Sequence, residues 1–213
     1  MTTTDISRPR FARMYMRAAG TAEGSGASEH RRRLLHGLSG TVVEIGAGHG
    51  LNFPFYPTQV DQVIAIEPEP TLRAQAEEAA ERAKVSVRVL AGTADQLPVP
   101  DESADAAIAS LVLCSVPDQR RALAEIKRVL RSDGELRFYE HVVPRCQPKR
   151  ALLQLVDHSG LWPKIAGGCH PARDTTEAIM RAGFDVEEIE RFGFAAQRFE
   201  PLIPHILGKA RRP

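Results

Sequence analysis

The chain has 213 residues, of which 43% are hydrophobic, and this length suits one medium-sized domain with a substantial core. Its formal net charge is +1, so the overall field gives no reason to expect nucleic acid or an anionic membrane as a partner. The three cysteines are widely spaced and form no CxxC pair, which favours a reducing compartment over a disulfide framework. The polar N-terminus lacks a secretory core, and no apolar run is long enough to span a membrane, so we expect a cytoplasmic protein.

Residues 1–40 are expected to form an N-terminal helical cap. Tyr15 and its apolar neighbours make a short helical patch, and the glycine-containing stretch 20–26 is typical of a flexible connector. Residues 28–38 predict a second helix with leucines on one face. The arginines at 31–33 are explained by a solvated face of that helix.

The central motif is a short strand followed at once by a glycine loop. The run 42–45 is apolar and β-branched except at Glu44, as in a buried parallel strand, and Gly46, Gly48 and Gly50 follow at alternate positions. Glycine allows a tight turn and lets main-chain N–H groups approach a ligand closely. The pattern therefore indicates a nucleotide-binding unit. A dinucleotide fingerprint is excluded because it would need glycine where Leu51 stands, and two nearby prolines leave little room for the helix that holds a pyrophosphate.

Strands and helices alternate beyond this loop. The run 62–66 predicts a second strand that ends at Glu67, where a carboxylate can accept hydrogen bonds from both hydroxyls of a ribose. A charge at the end of an apolar strand is costly without a partner, so a ligand-binding role for Glu67 is favoured over that of a surface acid. Such alternation indicates an α/β fold with a doubly wound parallel sheet and ligands at the strands' C-terminal edge. The further expected elements are helices over 71–84, 117–130 (with a stop at 133–134) and 174–183, a strand and loop over 106–116, and strands over 85–90, 135–139, 184–192 and 204–210.

The glycine loop, with Glu44 two positions before its first glycine, resembles motif I of the class I S-adenosylmethionine (SAM)-dependent methyltransferases. The stretches 111–116, 140–142, 168–169 and 204–210 narrow the resemblance to the methyltransferase-like protein seven group, which are thiol S-methyltransferases, and its bacterial relatives. The resemblance runs from about residue 40 to the C-terminus. It implies a Rossmann-like sheet of about seven strands, mostly parallel with an antiparallel C-terminal strand. It also implies SAM as the methyl donor and S-adenosylhomocysteine as its product.

The resemblance also implies a set of cofactor-binding residues. In that family the N-terminal region lies over the cofactor, where Tyr15 would reach it, although Tyr15 could instead merely pack. The stretch 91–98 resembles the loop that holds adenine, but Thr93 stands where aspartate is commonest, so Asp95 could substitute. The implied set is Tyr15, Glu44, Gly46, Ala47, Gly48, Gly50, Asn52, Glu67, Pro68, Thr93, Ala94, Asp95, Leu111 and Ser115.

Two histidines are candidates for the catalytic step. Transfer from a sulfonium is an in-line displacement, which requires alignment and a deprotonated nucleophile. A thiol with a pKa of roughly 8.5 is only a few per cent thiolate near neutrality, so a nearby imidazole could take its proton or stabilise its anion. His141 lies just past the fifth strand, at the reactive edge, and His170 on the following insertion could serve instead. Either could equally have a structural role.

The insertion 144–171 interrupts the alternation and carries Trp162, which suits a substrate-side lid, although an extra core helix would explain its leucines too. Cys114, Trp162 and Cys169 are the candidate substrate contacts, with Cys114 also explained as a small buried hydrophobe. No metal-ligand cluster is expected, because the cysteine spacing offers none.

The favoured function is therefore SAM-dependent S-methylation of a small thiol by one domain, 1–213, acting as a monomer or homodimer. No nucleic acid or membrane partner is expected. The animal members of the resembled group carry an apolar N-terminal anchor, which is not found in this sequence. The alternatives are an O- or C-methyltransferase of a small aromatic or quinone, a non-catalytic SAM-binding protein and, disfavoured by the cysteine spacing, an arsenite methyltransferase.

Overall fold

The computed structural model describes residues 6–144, 153, 155, 157, 168–170, 172–196 and 202–213. The helices within these ranges are α1 Pro9–Ala22, α2 Ser28–Leu35, α3 Pro70–Ala80, α4 Gln119–Val129 and α5 Thr175–Arg181. The strands are β1 Gly40–Ile45, β2 Val60–Ile66, β3 Ser86–Leu90, β4 Ala104–Ser110, β5 Leu130–His141, β6 Asp185–Phe194 and β7 Ile203–Arg211. None of the helices in the described ranges is long and apolar enough to cross a lipid bilayer.

The seven strands form one sheet in the order β3-β2-β1-β4-β5-β7-β6. The first five pair in parallel, whereas β7 is antiparallel to both β5 and β6. The expected Rossmann-like sheet is therefore confirmed, including the antiparallel C-terminal strand. The order reverses between β1 and β4, and ligands of such sheets bind beside the carboxyl ends of the strands at that point.

Helices cover both faces of the sheet because successive strand residues point to opposite sides. On one face, Val42 of β1 packs with the leucines of α2 and with Ala76 of α3. On the other face, Val43 belongs to the core that includes Leu123 and Ile126 of α4. The β-branched run that the sequence shows is thus buried on both sides, as in other parallel sheets.

The expected connector at residues 20–26 is short in the structure, because α1 extends to Ala22 and α2 begins at Ser28. Gly26, with a φ of 110°, breaks the helical conformation between them and makes a kink. A glycine therefore sets the bend between the two helices of the cap. The start of the segment is tied to the end of β2, since the Ile6 N–H donates to the Pro68 carbonyl and the Arg8 N–H to the Glu69 carboxylate.

The stop expected at 133–134 lies inside β5 rather than before it. Asp133 has a φ of 62°, and the pairing of β4 with β5 changes register between Ala104 and Ala106, so the strand runs through an irregularity. The predicted start of α5 is confirmed, because the Asp174 carboxylate accepts the N–H of Glu177 as an N-terminal cap.

Candidate active site at the carboxyl edge of the sheet

The glycine loop follows β1 in a conformation that strongly favours glycine. Gly46, Gly48 and Gly50 all have positive φ, of 65°, 59° and 84°. A Cβ added at Gly46 would lie 2.4 Å from a methyl carbon of Val112, in the loop after β4. The glycine loop and the loop after β4 therefore touch, and any side chain at position 46 would push them apart.

Glu67 lies at the end of β2, beside the glycine loop, and is 5% exposed. One carboxylate oxygen accepts the Gly48 N–H at 2.8 Å, and the other accepts the Glu69 N–H at 2.9 Å. Burial raises the pKa of Glu67 to about 7, although the two main-chain hydrogen bonds oppose that shift. A buried carboxylate thus lies next to the glycine loop at the end of the second strand, and its contact with ribose hydroxyls stays a prediction.

Glu44, inside β1, is fully engaged by protein donors. Its two oxygens accept hydrogen bonds from the Asn52 amide and the Tyr56 hydroxyl, each at 2.8 Å. Burial raises its pKa to about 7, with the two side-chain hydrogen bonds opposing the shift. Asn52 in turn accepts a hydrogen bond from Arg31 at 3.0 Å. Glu44 therefore positions the end of the glycine loop.

Arg31 is buried, and the expectation that residues 31–33 form a solvated face is wrong at this position. Only 6% of Arg31 is exposed, and its guanidinium donates to Glu23, Asn52 and Ser110. Its charge thus reaches the carboxyl end of β4 from the N-terminal cap. The neighbouring arginines remain at the surface, paired with Glu29 and Glu190.

Tyr15 of α1 lies against the glycine loop. A Cβ on Gly48 would be 3.3 Å from the Tyr15 ring, which also meets the His49 ring edge-on with centroids 5.7 Å apart. Burial raises the pKa of the Tyr15 phenol. In the part of the chain that the structure describes, the Nδ1 atom of His49 is a buried side-chain atom without a hydrogen-bond partner. A glycine loop that a ligand can approach closely, with an orphaned polar atom and a buried carboxylate beside it, fits a small polar cofactor such as SAM.

The other predicted cofactor residues lie along the same edge. Ala47 donates its N–H to the carbonyl at the end of β2, and Pro68 follows Glu67 directly. Thr93 and Ala94 are half-buried in the loop after β3, whereas Asp95 is exposed. Leu111, after β4, has a φ of 60° and donates to the Tyr139 carbonyl at 2.7 Å, and Ser115 closes the same loop with an N–H bond to Val112.

Glu140 shapes the loop after β4 from the neighbouring strand. Its side chain is fully buried and accepts the main-chain N–H groups of Val112, Leu113 and Cys114 at 2.8–3.1 Å. Burial raises its pKa and the nearby Cys114 adds to that shift, while the three N–H groups oppose it. The glutamate of the Glu140-His141 pair is therefore a positioning group for this loop.

Cys114, His141 and Cys169 form a cluster at the ends of β4 and β5. The His141 Nδ1 atom lies 3.7 Å from the Cys114 sulfur and 3.5 Å from the Cys169 sulfur, and the three atoms all lie within 4.8 Å of one another. Both cysteines are buried. The expectation that this chain offers no metal-ligand cluster is therefore wrong, because the fold brings together cysteines that are far apart in sequence.

Three anchors hold the Cys169 segment against the loop after β4. The His170 N–H donates to the Cys114 carbonyl at 2.8 Å, and the Arg173 guanidinium donates to the carbonyls of Leu113, Cys114 and Val116. Gly168 has a φ of 96°, and a Cβ there would lie 2.9 Å from the Ser115 carbonyl. The imidazole of His170 itself pairs with Asp157 at 3.0 Å.

The cluster shifts the pKa values of its members. The hydrogen bond with Cys169, together with burial, raises the pKa of Cys114, and the same hydrogen bond lowers the pKa of Cys169. Burial lowers the pKa of His141, but the interactions with Cys114 outweigh it and the net shift is upward. Burial and the nearby His141 lower the pKa of His205 to about 3, so His205 is neutral at pH 7.

Aromatic rings line the side of the cluster away from the glycine loop. The His205 ring of β7 lies 4.5 Å from the His141 ring and 5.3 Å from that of Tyr139, measured between centroids. Phe192 of β6 and His30 of α2 continue the wall, with 4.5 Å between their ring centroids. Trp162, the remaining predicted substrate contact, and most of the insertion 144–171 lie outside the described residues.

The comparisons with known proteins agree with this geometry. A family model described as a methyltransferase domain matches residues 43–138, which run from β1 to β5. Thiol S-methyltransferase TMT1B of the mouse is 36% identical over 181 residues, covering 83% of this chain and 73% of the relative.

Two solved structures share the fold. A SAM-dependent methyltransferase from Thermotoga maritima superposes with a TM-score of 0.70 at 23% identity, covering 96% of this chain and 97% of its own. The 1,6-didemethyltoxoflavin-N1-methyltransferase of Burkholderia thailandensis was solved with bound S-adenosylhomocysteine and 1,6-didemethyltoxoflavin. It superposes with a TM-score of 0.61 at 19% identity, and the match covers 88% of this chain and 78% of that enzyme. The chain thus belongs to the SAM-dependent methyltransferases, in the family that contains mouse thiol S-methyltransferase TMT1B.

Proposed function

We propose that this methyltransferase transfers the methyl group of SAM to the sulfur of a small, fairly apolar thiol. The observation that carries the proposal is the contact between the glycine loop and the loop that bears Cys114, through Gly46 and Val112. It puts a buried group of sulfur and imidazole atoms next to the cofactor cradle. The name of the mouse relative, a thiol S-methyltransferase, supports the same acceptor class.

The reaction needs few catalytic groups. The acceptor thiolate attacks the methyl carbon of SAM, a new sulfur–carbon bond forms, and the sulfonium–methyl bond breaks to release neutral S-adenosylhomocysteine. Alignment supplies most of the acceleration in such displacements. The enzyme must also favour the thiolate over the thiol, because only the anion is a strong nucleophile.

His141 is the residue to which we assign contact with the acceptor sulfur. Its Nδ1 atom lies 3.5–3.7 Å from two sulfur atoms at the end of β5, which supports a role for this imidazole beside sulfur. The neighbouring aromatic wall of Tyr139, Phe192 and His205 favours an apolar acceptor over a charged one. For His170 we propose positioning rather than proton transfer, since its imidazole pairs with Asp157 and its N–H holds the Cys114 carbonyl.

We assign the cofactor to the edge between β1 and β2. In this assignment Glu67 accepts the ribose hydroxyls, the loop from Gly46 to Gly50 lets the ligand approach closely because it carries few side chains, and Tyr15 covers the ligand from α1. Residues 1–40 then act as a cap on the cofactor. Residues 144–171 act on the acceptor side, which the hydrogen bond between His170 and Cys114 supports.

A matched acceptor panel tests the proposal. Purified protein and labelled SAM are incubated with an aryl thiol, the phenol of the same skeleton, an alkyl thiol and a quinone. We expect label in the two thiols only. Transfer to the phenol or the quinone without transfer to either thiol would contradict the thiol assignment and favour O- or C-methylation.

A glycine pair provides the enzyme control for this assay. Gly46→Ala adds a Cβ that would collide with Val112. Gly37 also has a positive φ, so Gly37→Ala has a similar backbone strain, but it is exposed and its new Cβ would meet no atom within 4 Å. Thiol methylation should therefore be lost in Gly46→Ala and retained in Gly37→Ala. Equal rates in the two variants would mean that the transfer does not occur at this loop.

A further inference from the structure

We propose that Cys114, His141 and Cys169 form a three-ligand site for a zinc ion, whose fourth position binds the acceptor thiolate. The first part concerns this cluster alone. The second part rests on the proposed function, because it concerns the thiol that is methylated. The donor set of two thiolates and one imidazole, with one position left open, is among those that catalytic zinc sites use.

The two sulfur–nitrogen distances in the cluster match tetrahedral coordination. Zinc binds sulfur at about 2.3 Å and histidine nitrogen at about 2.0–2.1 Å, so a tetrahedral site separates a sulfur and a nitrogen ligand by about 3.6 Å and two sulfur ligands by about 3.8 Å. The His141 Nδ1 atom lies 3.7 Å and 3.5 Å from the two sulfurs, and all three donors lie within 4.8 Å of one another. An ion is therefore accommodated once the two sulfurs approach each other by up to about 1 Å.

The ligands are also held in place before any ion binds. The carboxylate of Glu140 fixes the Cys114 main chain, and the N–H of His170 and the guanidinium of Arg173 tie the Cys169 segment to the Cys114 carbonyl. Hydrogen-bonded outer groups of this kind orient ligands and sustain metal affinity.

A zinc ion would perform the step that the reaction needs most. Binding of the acceptor thiol to the open position forms a zinc–sulfur bond and releases the thiol proton to solvent, which leaves a thiolate at neutral pH. The sulfur atom then attacks the methyl carbon of SAM, and the thioether product, a weaker ligand, departs. In the zinc-loaded protein the metal, with His141 as its ligand, stabilises the nucleophile.

Metal binding is measured first, with no acceptor present. The full chain, treated with a chelator and kept reduced by a phosphine, is titrated with zinc, and with cobalt(II) as a spectroscopic probe. We expect one equivalent to bind per chain, with thiolate-to-cobalt charge-transfer bands and the ligand-field absorption of a tetrahedral site. Substoichiometric binding of zinc, or cobalt bound without thiolate bands, would overturn the proposal.

Variants identify the ligands. Cys114→Ser, His141→Gln and Cys169→Ser should each reduce zinc affinity by more than the roughly 10- to 100-fold that loss of an outer hydrogen-bonded partner costs. The control His36→Gln changes an exposed histidine and should bind zinc as the parent does. Cys146→Ser lowers the cysteine count equally and should also retain the metal. Loss of binding in Cys146→Ser would contradict an open fourth position.

Activity then separates this inference from the proposed function. Thiol methylation should fall when zinc is removed and return when it is restored, and a chelating phenanthroline should inhibit more than its non-chelating isomer. A metal-free protein that methylates thiols at the full rate would refute the role of zinc in the reaction and leave the proposed function standing. A protein that binds zinc through these ligands but methylates no thiol would refute the proposed function and leave the metal site standing.

Discussion

The ionisation of Glu67 should make SAM binding depend on pH. This carboxyl group lies at the end of β2 with a pKa raised by burial to about 7. Ribose hydroxyls donate hydrogen bonds, and they bind the carboxylate more strongly than the protonated acid because the ionised group is the better acceptor. SAM binding should therefore release a proton from whatever fraction of Glu67 carries one.

The size of the effect follows from the pKa. Above pH 8 Glu67 is largely ionised in the free protein, so a further rise in pH should not increase SAM affinity through this carboxyl group. As the pH falls below about 7, protonation competes with binding, and the affinity should drop by up to about tenfold per pH unit. Between pH 8 and pH 6 we therefore expect roughly a tenfold loss.

Glu67→Gln isolates this contribution. The amide has a similar size but lacks the charge, and hydrogen bonds to a charged acceptor contribute roughly 1.5–3 kcal/mol. At pH 8 the variant should bind SAM about 30- to 150-fold more weakly, which corresponds to a loss of about 2–3 kcal/mol. Titration calorimetry at several pH values measures both effects, and the ratio of parent to variant cancels ionisation of SAM itself. A parallel pH dependence in parent and variant would refute the role assigned to Glu67.

Three further expectations concern the supports of the site. Glu140→Ala leaves three main-chain N–H groups without their acceptor, so thermal unfolding should reveal a loss of at least about 3 kcal/mol. The control Glu29→Ala removes an exposed ion pair with Arg32 and should cost less than about 1 kcal/mol. Arg173→Met should lower kcat for methyl transfer without changing SAM affinity in calorimetry, because Arg173 holds the loop after β4, whereas the exposed Arg181→Met should change neither. Tyr15→Ala should weaken SAM binding about tenfold, because it removes the ring that lies against the glycine loop, and Tyr15→Phe should keep the parent affinity. Equal SAM affinities of these two variants would contradict the covering role.

The cofactor edge could be predicted from the sequence because its signals are local. An apolar β-branched run followed by alternating glycines specifies a strand and a loop within about ten residues, and the positive φ at Gly46 and Gly50 is the conformation those glycines suggested. Glu67 was predicted in the same way, from its place at the end of the next apolar run. Each of these inferences needed only neighbours along the chain.

The acceptor edge could not be predicted in this way because tertiary contacts assemble it. Cys169 meets Cys114 only because Gly168 allows close approach to the Ser115 carbonyl and Arg173 binds three carbonyls of the loop after β4. Arg31 seemed one of three surface arginines, since helical spacing alone does not show that it reaches Asn52 and Ser110. Neither the burial of an arginine nor the contact between two distant cysteines produces a periodic pattern in the sequence from which it could be predicted.

One regiochemical measurement tests the central claim most directly. The parent protein is incubated with SAM carrying a carbon-13 methyl group and with 2-mercaptoethanol, which presents a thiol and a hydroxyl on the same small skeleton. The carbon chemical shift of the transferred methyl group distinguishes a thioether from an ether. Our account predicts that the label appears on sulfur, in step with the release of S-adenosylhomocysteine and not in Gly46→Ala. Label on oxygen, or release of S-adenosylhomocysteine without a thioether, would contradict it.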